Sequence, residues 1–152
     1  MDVRRISRSE LLAAAGGALL AISVFLPWYS ANPDNPNANI NGMKGMVSAW
    51  DAHTILRYLF LVVALAPLIL LYIVMRDHQL SWPRGEMTAV VGIAAFGLIG
   101  YTGLLDRPGD PSGEISLSFG WFMAMAGVIL MMVGGAWRAG GTERPRKPPG
   151  VL

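Results

Sequence analysis

The stretch ILRYLFLVVALAPLILLYIVM, Ile55–Met75, is 21 residues long and carries one formally charged side chain, Arg57, at its third position. An apolar helix of ~20 residues crosses the ~30 Å hydrocarbon core of a bilayer, because each residue rises ~1.5 Å. The run is apolar on every side, whereas a helix on the surface of a soluble domain keeps a polar face. Three more runs have the same character: Leu11–Trp28, Met87–Leu105 and Leu117–Trp137, of 18, 19 and 21 residues. The fold class expected is an all-α membrane protein, a four-transmembrane-helix antiparallel bundle with a larger first external loop. Residues 1–137 form the four-span domain, and 138–152 form a basic Pro/Gly-rich tail. A soluble domain with buried helices is the competing architecture. The 53% hydrophobic content suits it, but the clustering of those residues into long runs does not.

Charge placement sets the expected orientation. Arg4, Arg5 and Arg8 precede the first run, Arg76 and Arg84 lie in the second connection, and Arg138, Arg144, Arg146 and Lys147 lie in the tail. Those nine of the twelve basic residues fall on one side, and basic residues near span ends are retained in the cytoplasm. Both termini are therefore expected to be cytoplasmic, in a multi-pass protein of a bacterial plasma membrane. The arginines before Leu11 also resemble the start of a signal peptide. The run after them exceeds the usual length of such a region and ends in Pro27-Trp28-Tyr29, so a retained span is expected. The net charge of +2 reflects this asymmetry and is no sign of nucleic-acid binding. With no cysteine, disulfides and thiolate chemistry are excluded.

The first external loop, from Ser30 to about Val47, is rich in Asn and Pro. Its Asn41-Gly42 dipeptide between Ile40 and Met43 signals a tight turn, so a short hairpin is expected there. Ser48-Ala49-Trp50-Asp51 reads as a helix start, with a serine cap and an acid three positions on. A single helix from Ala49 to Met75 is expected, weakened at Pro67, which has no N–H. The second external loop, Asp106–Glu114, is turn-rich and makes the last two helices antiparallel neighbours. Trp28, Tyr29, Trp50, Trp82 and Trp137 stand at run ends, where aromatic side chains anchor to the membrane interface. Small residues at spacings of three or four, as in Gly17-x-x-x-Ala21 and Gly120-x-x-x-Ala124, let helices approach closely in lipid. Packing within the chain is the first reading of these pairs, and dimerisation the second.

Leu26-Pro27-Trp28-Tyr29-Ser30, Ser48-Ala49-Trp50 and Leu104-Leu105-Asp106-Arg107-Pro108-Gly109 together carry a resemblance. In these stretches and in its layout the chain resembles small four-helix membrane proteins of actinobacteria. The resemblance implies the four-span architecture and a bacterial source, and brings no site residues with it. The layout is also similar to that of claudin-like four-span proteins, but the cysteine pair of their first loop is missing, so that likeness is topological only.

Chemistry-bearing residues are few. Arg57 is costly inside a span. Its first reading is an ion pair with a loop carboxylate such as Asp106 or Asp110, its second snorkelling, and its third a ligand role. Asp51, His53, Arg57, Asp106 and Asp110 are the candidate external polar cap. His53 and His78 lie at opposite ends of ~25 residues of helix, more than ~35 Å apart, and cannot share one haem. Asp106, Asp110 and Glu114 do not match a calcium loop. Hydrolase and phosphate-loop motifs are absent. Met123, Met125, Met131 and Met132 read as packing. In the tail, Pro145-x-x-Pro148 among basic residues reads as lipid attraction. No catalytic, cofactor or metal residues are expected. The function expected is a non-enzymatic membrane interaction protein, an accessory subunit, scaffold or assembly factor, in contact with the bilayer and with a membrane-protein partner or its own copies. A small transporter or channel-like oligomer is the alternative.

Overall fold

The computed structural model describes residues 6–76 and 84–141. Arg4, Arg5, His78, Trp82 and the tail from 142 onward, with the expectations attached to them, lie outside that range.

The first helix, α1 (Arg8–Ser23), starts in a capping box. The Ser7 hydroxyl accepts the Glu10 N–H at 3.2 Å, and the Glu10 carboxylate accepts the Ser7 N–H at 2.9 Å. It ends where the Ser23 hydroxyl donates to the Leu20 carbonyl at 2.6 Å, shortly before Pro27, which disfavours helix at the residue ahead of it. The expected span 11–28 is thereby corrected. Pro27–Ala31 is not helix but the strand β1. A second strand, β2 (Met46–Ser48), leads into the one-turn helix α2 (Ala49–Ala52). His53 is extended, with φ −121° and ψ 112°. The helix expected from Ala49 to Met75 is therefore two, and α3 (Leu56–Met75) begins afresh, running unbroken through Pro67. Next come α4 (Arg84–Gly100), whose continuation Tyr101–Leu105 widens into a π-helical turn, then β3 (Ile115–Leu117) and α5 (Phe119–Gly141). The last run thus opens as strand, and α5 outlasts Trp137 by four residues, taking in Arg138.

Among the described residues, three helical stretches are long and apolar enough to cross a membrane: Leu56–Ile73, Gly85–Leu105 and Phe119–Gly140. With its 16 residues, α1 spans only ~24 Å. The molecule is mostly helical, but not all-α. β1 is the centre of a three-stranded antiparallel sheet ordered β2-β1-β3. Tyr29 stands opposite both Val47 and Leu117, and Ser30 opposite Met46 and Ser116.

α1 packs on α5 and α3, while α4 packs on α5 and also meets α3. Glycine makes the closest approaches. A methyl group on Gly127 would lie 2.8 Å from the Gly16 carbonyl oxygen, and one on Gly16 would lie 2.5 Å from the Gly127 oxygen. The same holds for Gly17 against Ala64 of α3 and for Gly135 against Ala89 of α4, each at 2.5 Å. In lipid such backbone contact supplies the van der Waals attraction that holds helices together. Gly134 lies against Ser9 and Ala13, and Gly120 against the carbonyls of Leu26 and Pro27. The chain from Ser9 to Pro27 therefore accompanies α5 from Gly134 back to Gly120. An Arg138–Glu10 ion pair of 2.8 Å closes the end remote from the sheet. The core runs without a break from Met131, Val128 and Leu20 up to Trp28, Tyr29, Ile40 and Ile115 beneath the sheet.

Candidate functional site

The sheet end gathers every residue of the expected polar cap, but the fold sorts them into separate places. β1 does not alternate regularly: its register shifts between Pro27 and Tyr29, and the neighbours Trp28 and Tyr29 are both wholly buried. Their expected role as lipid-interface anchors is thereby corrected. The Trp28 indole donates to the Ser23 carbonyl at 2.8 Å, which ties the strand to the end of α1. Tyr29 reaches His53 Nε2 at 2.9 Å and the Thr102 carbonyl at 3.3 Å. A phenol has one proton to give. Both bonds are made when Tyr29 donates to Thr102 and accepts from His53, so neutral His53 carries its proton on Nε2.

Three elements converge on this pair. His53 occupies the break between α2 and α3, with the rings of Trp28 and Phe60 edge-on at 6.3 and 6.1 Å. Thr102 belongs to the π-helical turn, where its hydroxyl donates to the Ile99 carbonyl at 3.2 Å. Such turns offset a carbonyl from the regular helical ladder, and here the carbonyl of Thr102 is the one that Tyr29 uses. Trp121 of α5 closes the other side, packed against Gly103 and donating to the Ile99 carbonyl at 3.0 Å. Burial pushes the Tyr29 phenol up to about 12. It also lowers His53, an effect opposed by the negative charge of Asp106. At neutral pH both groups are uncharged. With 0 and 9% exposure, the pair is enclosed and ties β1 to the segment between α2 and α3 and to the π-helical turn.

The remaining cap residues point elsewhere. Asp51 accepts the Ser48 hydroxyl at 2.7 Å, and its N–H donates back to that hydroxyl at 3.2 Å, a local helix cap on α2. Asp110 exchanges both backbone bonds with Asn39, at 2.9 and 3.1 Å, which joins the two connections at the sheet end directly. The Asn41-Gly42 turn is present, with φ of 51° and 79° and a single bridge Ile40–Met43. Its Asn41 amide donates to the carbonyls of Asp51 and Ala52. Asp106 is exposed at the end of the π-helical turn.

Arg57 is turned outward. Its guanidinium lies 4.7 Å from the Trp50 ring and 4.9 Å from the Tyr58 ring, and donates to the Trp50 carbonyl and the Tyr58 hydroxyl. The expected loop carboxylate is not its partner: among the described residues Arg57 makes no ion pair. Trp50 itself is partly buried and stacks on Phe25 at 5.3 Å, while Trp137 is 62% exposed on α5.

Sequence reasoning missed Tyr29 as a buried hub, and it missed Phe60, Thr102 and Arg107. Arg107 donates to the carbonyls of Gly103 and Ile115 at 2.7 and 2.8 Å, clamping the π-helical turn to β3. Asn32 joins Glu114 at 2.6 Å, linking the end of β1 to the start of β3. Only the loop positions of Asn32, Arg107 and Glu114 hinted at them; Phe60 and Thr102 lie within apolar runs and carry no local signal. Among the described residues, no three His, Asp or Glu side chains cluster closely enough to hold a metal ion. The chain matches no family model, no characterised protein and no solved structure with which it was compared.

Proposed function

We propose that this chain is a four-span protein of a bacterial plasma membrane, both termini cytoplasmic, that acts by interaction and presents its sheet end outside as the partner-binding face. The observation that carries this reading is the cap itself. Both external connections are built into one sheet-centred unit through β1–β2, β1–β3, Asn39–Asp110 and Asn32–Glu114. A pair of connections that served only to join helices would need no such unit. The fourth span is α1, short by itself but running beside α5 for most of its length. Orientation rests on the nine basic residues grouped on the terminal side.

Transport is disfavoured by the helix seams. A route through the chain would need polar groups at mid-depth. There α1, α3, α4 and α5 instead meet through Gly16, Gly17, Gly92 and Gly127 and the side chains of Leu20, Ala64 and Met131. On the outside, Met46 is 70% exposed on β2, and Asp34, Asn37 and Lys44 are exposed in the connection that precedes it. That mixture of an apolar anchor with polar neighbours suits a protein–protein contact. Replacing the whole loop would also remove buried Ala38 and Ile40. The test therefore changes only Asp34, Asn37, Lys44 and Met46 to serine, and compares crosslinked, detergent-extracted complexes with those of the wild type. A stoichiometric partner or second copy lost in the variant, with unchanged thermal stability, is expected. Equal recovery, or solute flux into liposomes from the purified wild type, would overturn the reading. Reporter fusions after Ala31 and Gly109 should report outside.

A further inference from the structure

Arg57 stands in the first turn of α3, a turn that contains no acidic residue. A helix N-terminus already carries partial positive charge, so the guanidinium adds to a charge of its own sign. A guanidinium has five N–H donors. One bonds the Trp50 carbonyl and one the Tyr58 hydroxyl, each at 3.2 Å. Nε is enclosed and has no acceptor among the described residues. One further N–H remains on each of Nη1 and Nη2. The rings of Trp50 and Tyr58 fix the plane of the group, so its unused edge is held rather than free to wander. The guanidinium lies against Tyr58, and the residues that follow Tyr58 on the same face of α3 are apolar and open: Val62 is 63% exposed and Leu65 48%. A forked donor set with no anion of its own among the described residues therefore lies at the head of an apolar helix face.

From this juxtaposition we infer that Arg57 seats the phosphodiester of a membrane phospholipid. The two free N–H groups bind phosphate oxygens side by side, the geometry that guanidinium favours with phosphate. Val62 and Leu65 border the start of the acyl chains. The Trp50 and Tyr58 rings stand at headgroup level, where aromatic side chains collect. A free phosphate would satisfy the same donors but gain nothing from the apolar flank. The inference rests on α3 spanning the bilayer with its first turn at the interface.

The test uses the purified, delipidated full chain in a non-ionic detergent. Native mass spectrometry measures binding of 1-palmitoyl-2-oleoyl-phosphatidylglycerol, and in a second arm the diacylglycerol with the same acyl chains and no phosphate. The wild type should retain the phospholipid at least about tenfold better than the diacylglycerol, and inorganic phosphate at equal concentration should not displace it. Arg57→Gln should lose most of that preference, with Arg57→Lys in between, since lysine keeps the charge but lacks the fork. Equal retention of the two lipids by the wild type would overturn the inference without recourse to any variant. So would unchanged retention by Arg57→Gln. Displacement by inorganic phosphate would assign the site to a free anion and overturn the lipid source. Release of the chain from membranes by alkaline carbonate, without detergent, would instead refute the spanning reading itself.

Discussion

Replacing Tyr29 by phenylalanine keeps the ring and deletes one oxygen at the place where three elements meet. That oxygen, wholly buried, serves the His53 Nε2–H at 2.9 Å and the Thr102 carbonyl at 3.3 Å. Leaving a buried donor or acceptor without a partner costs ~1–3 kcal/mol. The longer Thr102 bond stands at the low end of that range, so the two together come to ~2–4 kcal/mol. For a chain of this size that is a fall in melting temperature of roughly 4–16 °C. Thermal unfolding in detergent, followed by the near-ultraviolet signal of the buried tryptophans, would measure it. A double-mutant cycle separates the bond from general loss of packing. His53→Leu removes the other partner, so Tyr29→Phe should cost ~1 kcal/mol less in that background than in the wild type. Strict additivity, or a Tyr29→Phe protein as stable as the wild type, would show that the buried pair does not hold the cap on the helices.

Other outcomes follow from the same contacts. Because burial lowers the His53 pKa in the folded chain, the unfolded chain binds its proton first on acidification. His53 therefore contributes full stability above its ordinary value near 6.5, and loses it as pH falls through 6.5 toward the folded pKa. Unfolding at a series of pH values should show this dependence and find it flattened in His53→Gln. Gly127→Leu forces side-chain atoms against Gly16 and Leu20 and should cost ~3 kcal/mol. Gly97→Ala inside α4, where nothing lies within 4 Å, should instead stabilise by ~0.4–1 kcal/mol, and sodium dodecyl sulfate titration compares the two. Glu10→Ala removes the carboxylate half of the capping box and one partner of Arg138, while the Ser7 hydroxyl still caps the N–H at position 10. A loss of ~0.5–1.5 kcal/mol is expected from the lost bond to the Ser7 N–H, visible as earlier hydrogen exchange at the start of α1.

The apolar runs were legible from composition alone, because crossing a bilayer needs only length and the absence of charge. The Ser48–Asp51 cap and the Asn41-Gly42 turn were legible too, since each depends on residues within three positions of one another. The sheet was not. Tyr29 pairs with Val47 and Leu117, partners that no local pattern joins to Pro27–Ala31, and the apolar character of that segment reads equally well as the end of a span. For the same reason the sequence alone reads Trp28 and Tyr29 as lipid anchors. An aromatic side chain at a span end is equally apolar toward lipid and toward a core, and the strands laid on either side of β1 decided in favour of the core. Arg57 illustrates the converse. Its charge and depth were evident from the sequence, but its partners were set by the break at His53, which swings Trp50 back over the first turn of α3. Residue chemistry determined which segments avoid water. The packing of distant segments determined which of their side chains face one another, and so where the candidate sites lie.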